Sequence, residues 1–137
     1  MVVLDANLLV VLVSGDPRRL SVLQQITRWL DEGTDLHAPL LAQYEIANAL
    51  TRLVASGAFP EDKIEEAVSN ILVLPLIYHS RISIPRVVEI AKTLGRQSAY
   101  DAAYISLAES LGCELWTLDG PLYRNATGYG FKVQLVK

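Results

Sequence analysis

Four acidic residues interrupt otherwise apolar stretches of this chain: Asp5 after Val2-Val3-Leu4, Glu45 among Leu40 to Leu50, Asp101 ahead of Ala102-Ala103-Tyr104-Ile105, and Asp119 after Leu115-Trp116-Thr117-Leu118. A carboxylate in apolar surroundings is costly unless it is paired or bound to a cation. Hard oxygen donors suit Mg²⁺ or Mn²⁺, and an ion held by carboxylates is equipped to act on phosphate esters. That chemistry requires the fold to bring the four together.

Each acid also has a structural reading. Asp5 precedes a helical stretch and fits an Asx turn or a helix N-cap; Asn7, two residues on, fits the same turn or a donor that orients a ligand. Asp101 closes Ser98-Ala99-Tyr100-Asp101, which has the form of a capping box. Asp119 before Gly120-Pro121 reads as a turn residue, and Thr117 shares its strand face by the two-residue period. Glu45, Asn48 and Arg52 form a polar stripe of the kind that usually faces solvent, beside the apolar positions Leu40, Tyr44, Ala47, Leu50 and Val54. Ile46 and Ala49 extend the apolar surface past the stripe, so Glu45 lies between two faces expected to be buried. Alone, each residue is ambiguous; the set favours a shared site.

The elements that must position these residues alternate in type. Short apolar runs at Val2–Asp5, Leu36–Ala38, Leu74–Tyr78, Glu114–Leu118 and Phe131–Val136 read as strands. Between them, helical patterns run from Leu8, over Arg18–Asp31, from Pro39 to Ala55, from Pro60 to Leu72, from Pro85 to Leu94 and over Ala99–Leu111, with one turn at Pro121–Asn125. The expectation is an α/β fold, one domain over residues 1–137, with a central, mostly parallel five-stranded sheet flanked by helices. Ligands of such sheets sit outside the carboxyl ends of the strands, where Asp5 and Asp119 fall.

Composition narrows the classes. With 137 residues, 51% hydrophobic and 20% charged, the chain can build a core and is not a disordered segment. A lone Cys113 excludes an internal disulfide or a cysteine-based zinc site and suits a reducing cytoplasm, while His37 and His79 read as isolated, without a role. The apolar run Leu8–Val13 is too short for a membrane span, and no basic residues precede it as in a signal peptide. A net charge of −3 argues against a general polyanion binder. Setting the four acids aside leaves eleven acidic residues of fifteen against twelve basic ones, so a divalent ion at the site would relieve most of what repels phosphate. Arg81, Arg86, Lys92 and Arg96 form the densest basic stretch, either a solvated face or a phosphate contact.

These residues carry a resemblance. Val3-Leu4-Asp5-Ala6-Asn7, Tyr44-Glu45-Ile46-Ala47-Asn48-Ala49-Leu50, Tyr100-Asp101-Ala102-Ala103-Tyr104 with Leu107-Ala108-Glu109, and Leu115-Trp116-Thr117-Leu118-Asp119 follow in an order and spacing that resembles the PIN-domain proteins. The likeness is strongest to the VapC-type toxin ribonucleases of toxin–antitoxin pairs, and it covers essentially the whole chain. It implies a Mg²⁺- or Mn²⁺-dependent endoribonuclease with Asp5, Glu45, Asp101 and Asp119 in the acidic metal positions and Asn7 and Thr117 in support. It also implies an RNA substrate, an antitoxin partner, a homodimer and no membrane association. Asn7 stands where relatives often carry Ser or Thr, and Gly120-Pro121 replaces the polar residues that commonly follow the last acid.

Two other classes compete. Asp5 at the end of a first parallel strand could accept a phosphoryl group, but such proteins want a second acid at position 7, where this chain has Asn7. A PIN-like scaffold that binds RNA or a partner without cutting would not need the full acidic set.

Overall fold

A computed structural model describes residues 1–96 and 98–137. Among the described residues, five strands and seven helices follow along the chain: β1 (Val2–Leu4), α1 (Ala6–Val13), α2 (Arg19–Asp31), β2 (Leu36–Pro39), α3 (Leu41–Ala55), a 3₁₀ turn at Glu61–Lys63, α4 (Ile64–Leu72), β3 (Leu76–His79), α5 (Ile84–Thr93), α6 (Tyr100–Leu111), β4 (Glu114–Thr117), α7 (Gly120–Gly128) and β5 (Val133–Leu135). The strands form one sheet in the order β3-β2-β1-β4-β5, and every pairing is parallel. Parallel neighbours need crossovers, which the helices supply.

The strand order decides where a ligand can sit. From β1 the chain steps outward through α1 and α2 to β2, then through α3 and α4 to β3. It returns through α5 and α6 to lay β4 on the other edge of β1. Helices therefore diverge at the carboxyl ends of β1 and β4, which opens a crevice at the switch point. Asp5 follows β1 directly, and Asp119 follows β4 by two residues.

Burial explains why β1 is central. Val2, Val3 and Leu4 are all buried, as expected for a strand covered on both faces. Helix α6 packs on β1, β2 and β4, and seven consecutive residues, Ala102 to Ala108, are buried. A helix apolar on nearly every side belongs inside, and Ala102, Ala103, Ser106 and Ala108 let it approach closely. Its end is set by Gly112 at φ 67°, a left-handed position that costs an L side chain strain. On α2 and β4, Trp29 and Trp116 meet edge to face with centroids 5.2 Å apart.

Several boundaries differ from the sequence reading. Pro39 ends β2 instead of opening α3; it has no N–H for the ladder, and the next amide, Leu40 N–H, donates to His79 O at 2.8 Å. The buried face of α3 is Ala42, Ile46 and Leu50, while Tyr44 is 71% exposed and Ala47 is exposed. Both sets satisfy helical spacing, and the packing of α1 against α3 selects the one that runs beside Glu45. Helix α7 extends to Gly128 because Asp119 caps it and Leu122 and Ala126, four apart, both reach the core. His37 and His79, read as isolated, touch: Nδ1 of His37 and Nε2 of His79 are 2.8 Å apart across neighbouring strands. Among the described residues no helix is long and apolar enough to cross a membrane.

Candidate functional site

Asp5 occupies the crevice between β1 and β4. Its backbone N–H donates to Trp116 O at 2.9 Å, so the residue still belongs to the sheet, while its carboxylate caps α1 by accepting Asn7 N–H at 3.4 Å. The N-cap reading and a site role therefore fall on the same side chain. Asn7 Nδ2 donates to Asp5 Oδ2 at 3.3 Å and to Thr117 Oγ1 at 3.2 Å, and Asn7 Oδ1 accepts from Leu118 N–H at 3.3 Å. Thr117, fully buried, donates its hydroxyl to Asp5 Oδ2 at 2.9 Å and accepts from Asp119 N–H at 3.1 Å. Asn7 and Thr117 thus lock the Asp5 carboxylate between two strand ends.

Two of the other acids arrive on helices, and the third, Asp119, lies just before one. Asp119 caps α7, its Oδ1 accepting from Leu122 N–H at 3.0 Å. Asp101 lies in the first turn of α6, where the helix dipole favours its charge. The capping box expected there does not form: Ala99 is the N-cap, and Ser98 Oγ accepts at 3.4 Å from Tyr100 N–H instead of from Asp101. Glu45 is half-buried on α3, where Tyr104 of α6 donates its hydroxyl to Glu45 Oε1 at 2.5 Å. In the sequence Tyr104 stands only within the apolar run that follows Asp101. The available signal was its place three residues after Asp101, which puts both on one side of α6.

The acids feel one another. Burial pushes the Asp5 carboxyl up to about 7, the bonds from Thr117 and Asn7 pull it back, and the charges of Asp101 and Glu45 push it further. Asp101 is also raised, chiefly by burial, with Arg96 pulling down and Asp119 pushing up. Burial and then the Asp5 charge hold the Tyr104 phenol well above its ordinary value, so it remains a donor. The four are linked in the series Glu45, Asp5, Asp101, Asp119. Among the described residues, however, no three His, Cys, Asp or Glu side chains stand close enough in this conformation to enclose an ion. Beside Asp5, Asn7 and Glu45 a cavity of about 290 Å³ extends between α1 and α3 toward Arg18 and Arg52.

The sequence pattern of the PIN domain matches residues 2–127. The chain belongs to the PIN domain family. Among similar proteins, Ribonuclease VapC3 of Pyrobaculum aerophilum is 30% identical over 126 residues, spanning 88% of this chain and 90% of the relative. Ribonuclease VapC9 of Mycobacterium tuberculosis is 32% identical over 122 residues, spanning 87% and 86%. The crystal structure of PAE2754 from Pyrobaculum aerophilum superposes with a TM-score of 0.71 at 21% identity, covering 98% of this chain and 88% of that one. That likeness supports the PIN fold seen here.

Asp5, Asn7 and Thr117 place carboxylate, amide and hydroxyl oxygens side by side at the crevice. Oxygens of these kinds are the preferred ligands of a hard divalent ion, and a buried Asp5 pushed up to about 7 marks a place where added positive charge lowers the free energy.

Proposed function

We propose that this chain is a VapC-like endoribonuclease, a toxin that hydrolyses RNA phosphodiester bonds with Mg²⁺ or Mn²⁺. The observation that carries the reading is the raised Asp5 carboxyl at the β1–β4 crevice, facing the charges of Glu45 and Asp101. Asp5, Glu45, Asp101 and Asp119 would hold the ion, with Asn7 and Thr117 fixing the rotamer of Asp5. A divalent ion bound there supplies Lewis acidity toward a phosphate oxygen and toward the attacking water. The protein's own part is orientation: the hydrogen-bonded strand ends hold Asp5 still, and the cavity toward exposed Arg52 gives a polyanion a route to the acids. In-line attack by water on phosphorus, with the 3′-oxygen leaving and taking up a proton, would leave the 5′-phosphate and 3′-hydroxyl ends that the resemblance implies.

Residues 1–137 are proposed as one domain, because β5, beyond the family match, completes the sheet by pairing with β4. As in VapC systems, an antitoxin partner, a homodimer and a cytoplasmic setting go with this reading. An antitoxin arginine against the carboxylates would replace the ion's charge.

The test is cleavage of RNA by the purified chain with Mg²⁺ or Mn²⁺, with chelator, and with Asp5→Asn, Glu45→Gln, Asp101→Asn and Asp119→Asn. Cutting that requires metal and each acid supports the proposal. RNA binding without metal-dependent cutting would assign a scaffold instead.

A further inference from the structure

Tyr104 carries more than the sequence suggested. It is 1% exposed, in the middle of the buried stretch of α6, and its hydroxyl is spent on Glu45 Oε1 at 2.5 Å. The Ala6 backbone, next to Asp5, lies against the Tyr104 hydroxyl itself. For packing alone a phenylalanine would fill this space, since a hydroxyl taken out of water must find a partner. Asp101 and Tyr104 sit three residues apart on one helix. One rigid element thus carries one acid of the cluster and the hydrogen bond that fixes another, which arrives on α3. Glu45 has three rotatable side-chain bonds and is only half-buried, so without that bond its carboxylate has several rotamers available.

We propose that Tyr104 is a positioning residue: its hydroxyl holds the Glu45 carboxylate in one orientation, ready for the divalent ion, and leaves Oε2 unused by that bond. The inference rests on the reading of the four acids as a metal site, and its test separates the two. Mn²⁺ binding to the full chain is titrated for wild type, Tyr104→Phe, Glu45→Ala and the double variant.

The expected result is a dissociation constant about tenfold higher in Tyr104→Phe, the lower end of what loss of a ligand-orienting partner costs. In the Glu45→Ala background the same change has no further effect, because the hydroxyl then has nothing to orient. Equal affinity of Tyr104→Phe and wild type overturns the proposal, and so does an equal loss in both backgrounds, which would mark a structural role. Wild type that binds no Mn²⁺ overturns the metal site and the Tyr104 role with it. Should Tyr104→Phe not fold, Mg²⁺ titration of wild-type chain with ring-labelled tyrosine decides. The Tyr104 Cζ resonance moves with the midpoint of ion binding if the proposal holds, and an unmoved resonance overturns it.

Discussion

Asp5 holds two positions at once, as the residue that caps α1 and as a buried carboxyl in the crevice. Its carboxyl, pushed from 3.8 up to about 7 by burial, keeps its proton in the folded state where the unfolded chain has lost it. Between those values the folded state binds more protons, so the stability contribution of Asp5 falls as pH rises from about 4 and is fully lost above about 7. His37 works in the opposite sense. Burial and His79 lower its value, so its contribution rises as pH climbs toward its ordinary 6.5. Comparison with Asp5→Asn separates the two: metal-free urea midpoints should decline with pH in wild type relative to the variant. Parallel curves would show that Asp5 titrates normally. Because ligands must be deprotonated, Mn²⁺ should bind more tightly near pH 8 than near pH 5.5. The same variant should lose about 10²-fold or more in RNA cleavage, on the scale of removing one charge-stabilising group from an active site, measured at saturating Mn²⁺.

At the scale of elements, α5 packs on α6, and two side chains of α5 differ in what they contribute. Arg86 makes a bidentate pair with Glu109 at 2.7 and 2.8 Å, but both side chains are well exposed, so solvent and salt screen the pair. Ile90 on α5 is fully buried. Ile90→Ala should therefore lower unfolding stability by about 2–5 kcal/mol, while Arg86→Ala moves the denaturation midpoint far less. A larger effect from Arg86 would show that the ion pair, not the core, aligns the two helices.

The same distinction between packing and local pattern explains what could be read from the chain. The alternation of strands and helices was legible because parallel strands need crossovers and each buried strand is a short apolar run. The carboxyl-end placement of Asp5 and Asp119 followed from it. The phase of α3 was not legible, since Ala42-Ile46-Leu50 and Leu40-Tyr44-Ala47 both obey helical spacing, and the elements packed on it, chiefly α1, choose between them. Ser98 looked like a cap, yet the helix begins one residue later than that box requires. The His37–His79 contact depends on the register of β2 against β3, which is long-range information. Tyr104 was visible as core, but the pairing of its hydroxyl with Glu45 arises only when α3 and α6 meet.

For the whole molecule, the cluster sets a tension between function and stability. The chain carries a net charge of −3, and its four candidate ligands bring negative charges toward one crevice, where the charges of Asp101 and Glu45 add to burial in disfavouring the ionised form of Asp5. An ion that binds only the folded state removes that repulsion and shifts the folding equilibrium by mass action. At ten times the dissociation constant the gain is about 1.4 kcal/mol, which for a domain of this size corresponds to a rise of about 4–6 °C in Tm. Mg²⁺ and Mn²⁺ should both produce it, whereas KCl at matched ionic strength should not, because general screening acts on exposed charges and not on a half-buried cluster. Asp5→Asn should start at least as stable as wild type without metal and respond weakly to it. Differential scanning calorimetry with and without chelator checks all of these arms. A wild-type Tm indifferent to millimolar divalent ion, or an equal rise in Asp5→Asn, would mean that the acids do not bind a cation together.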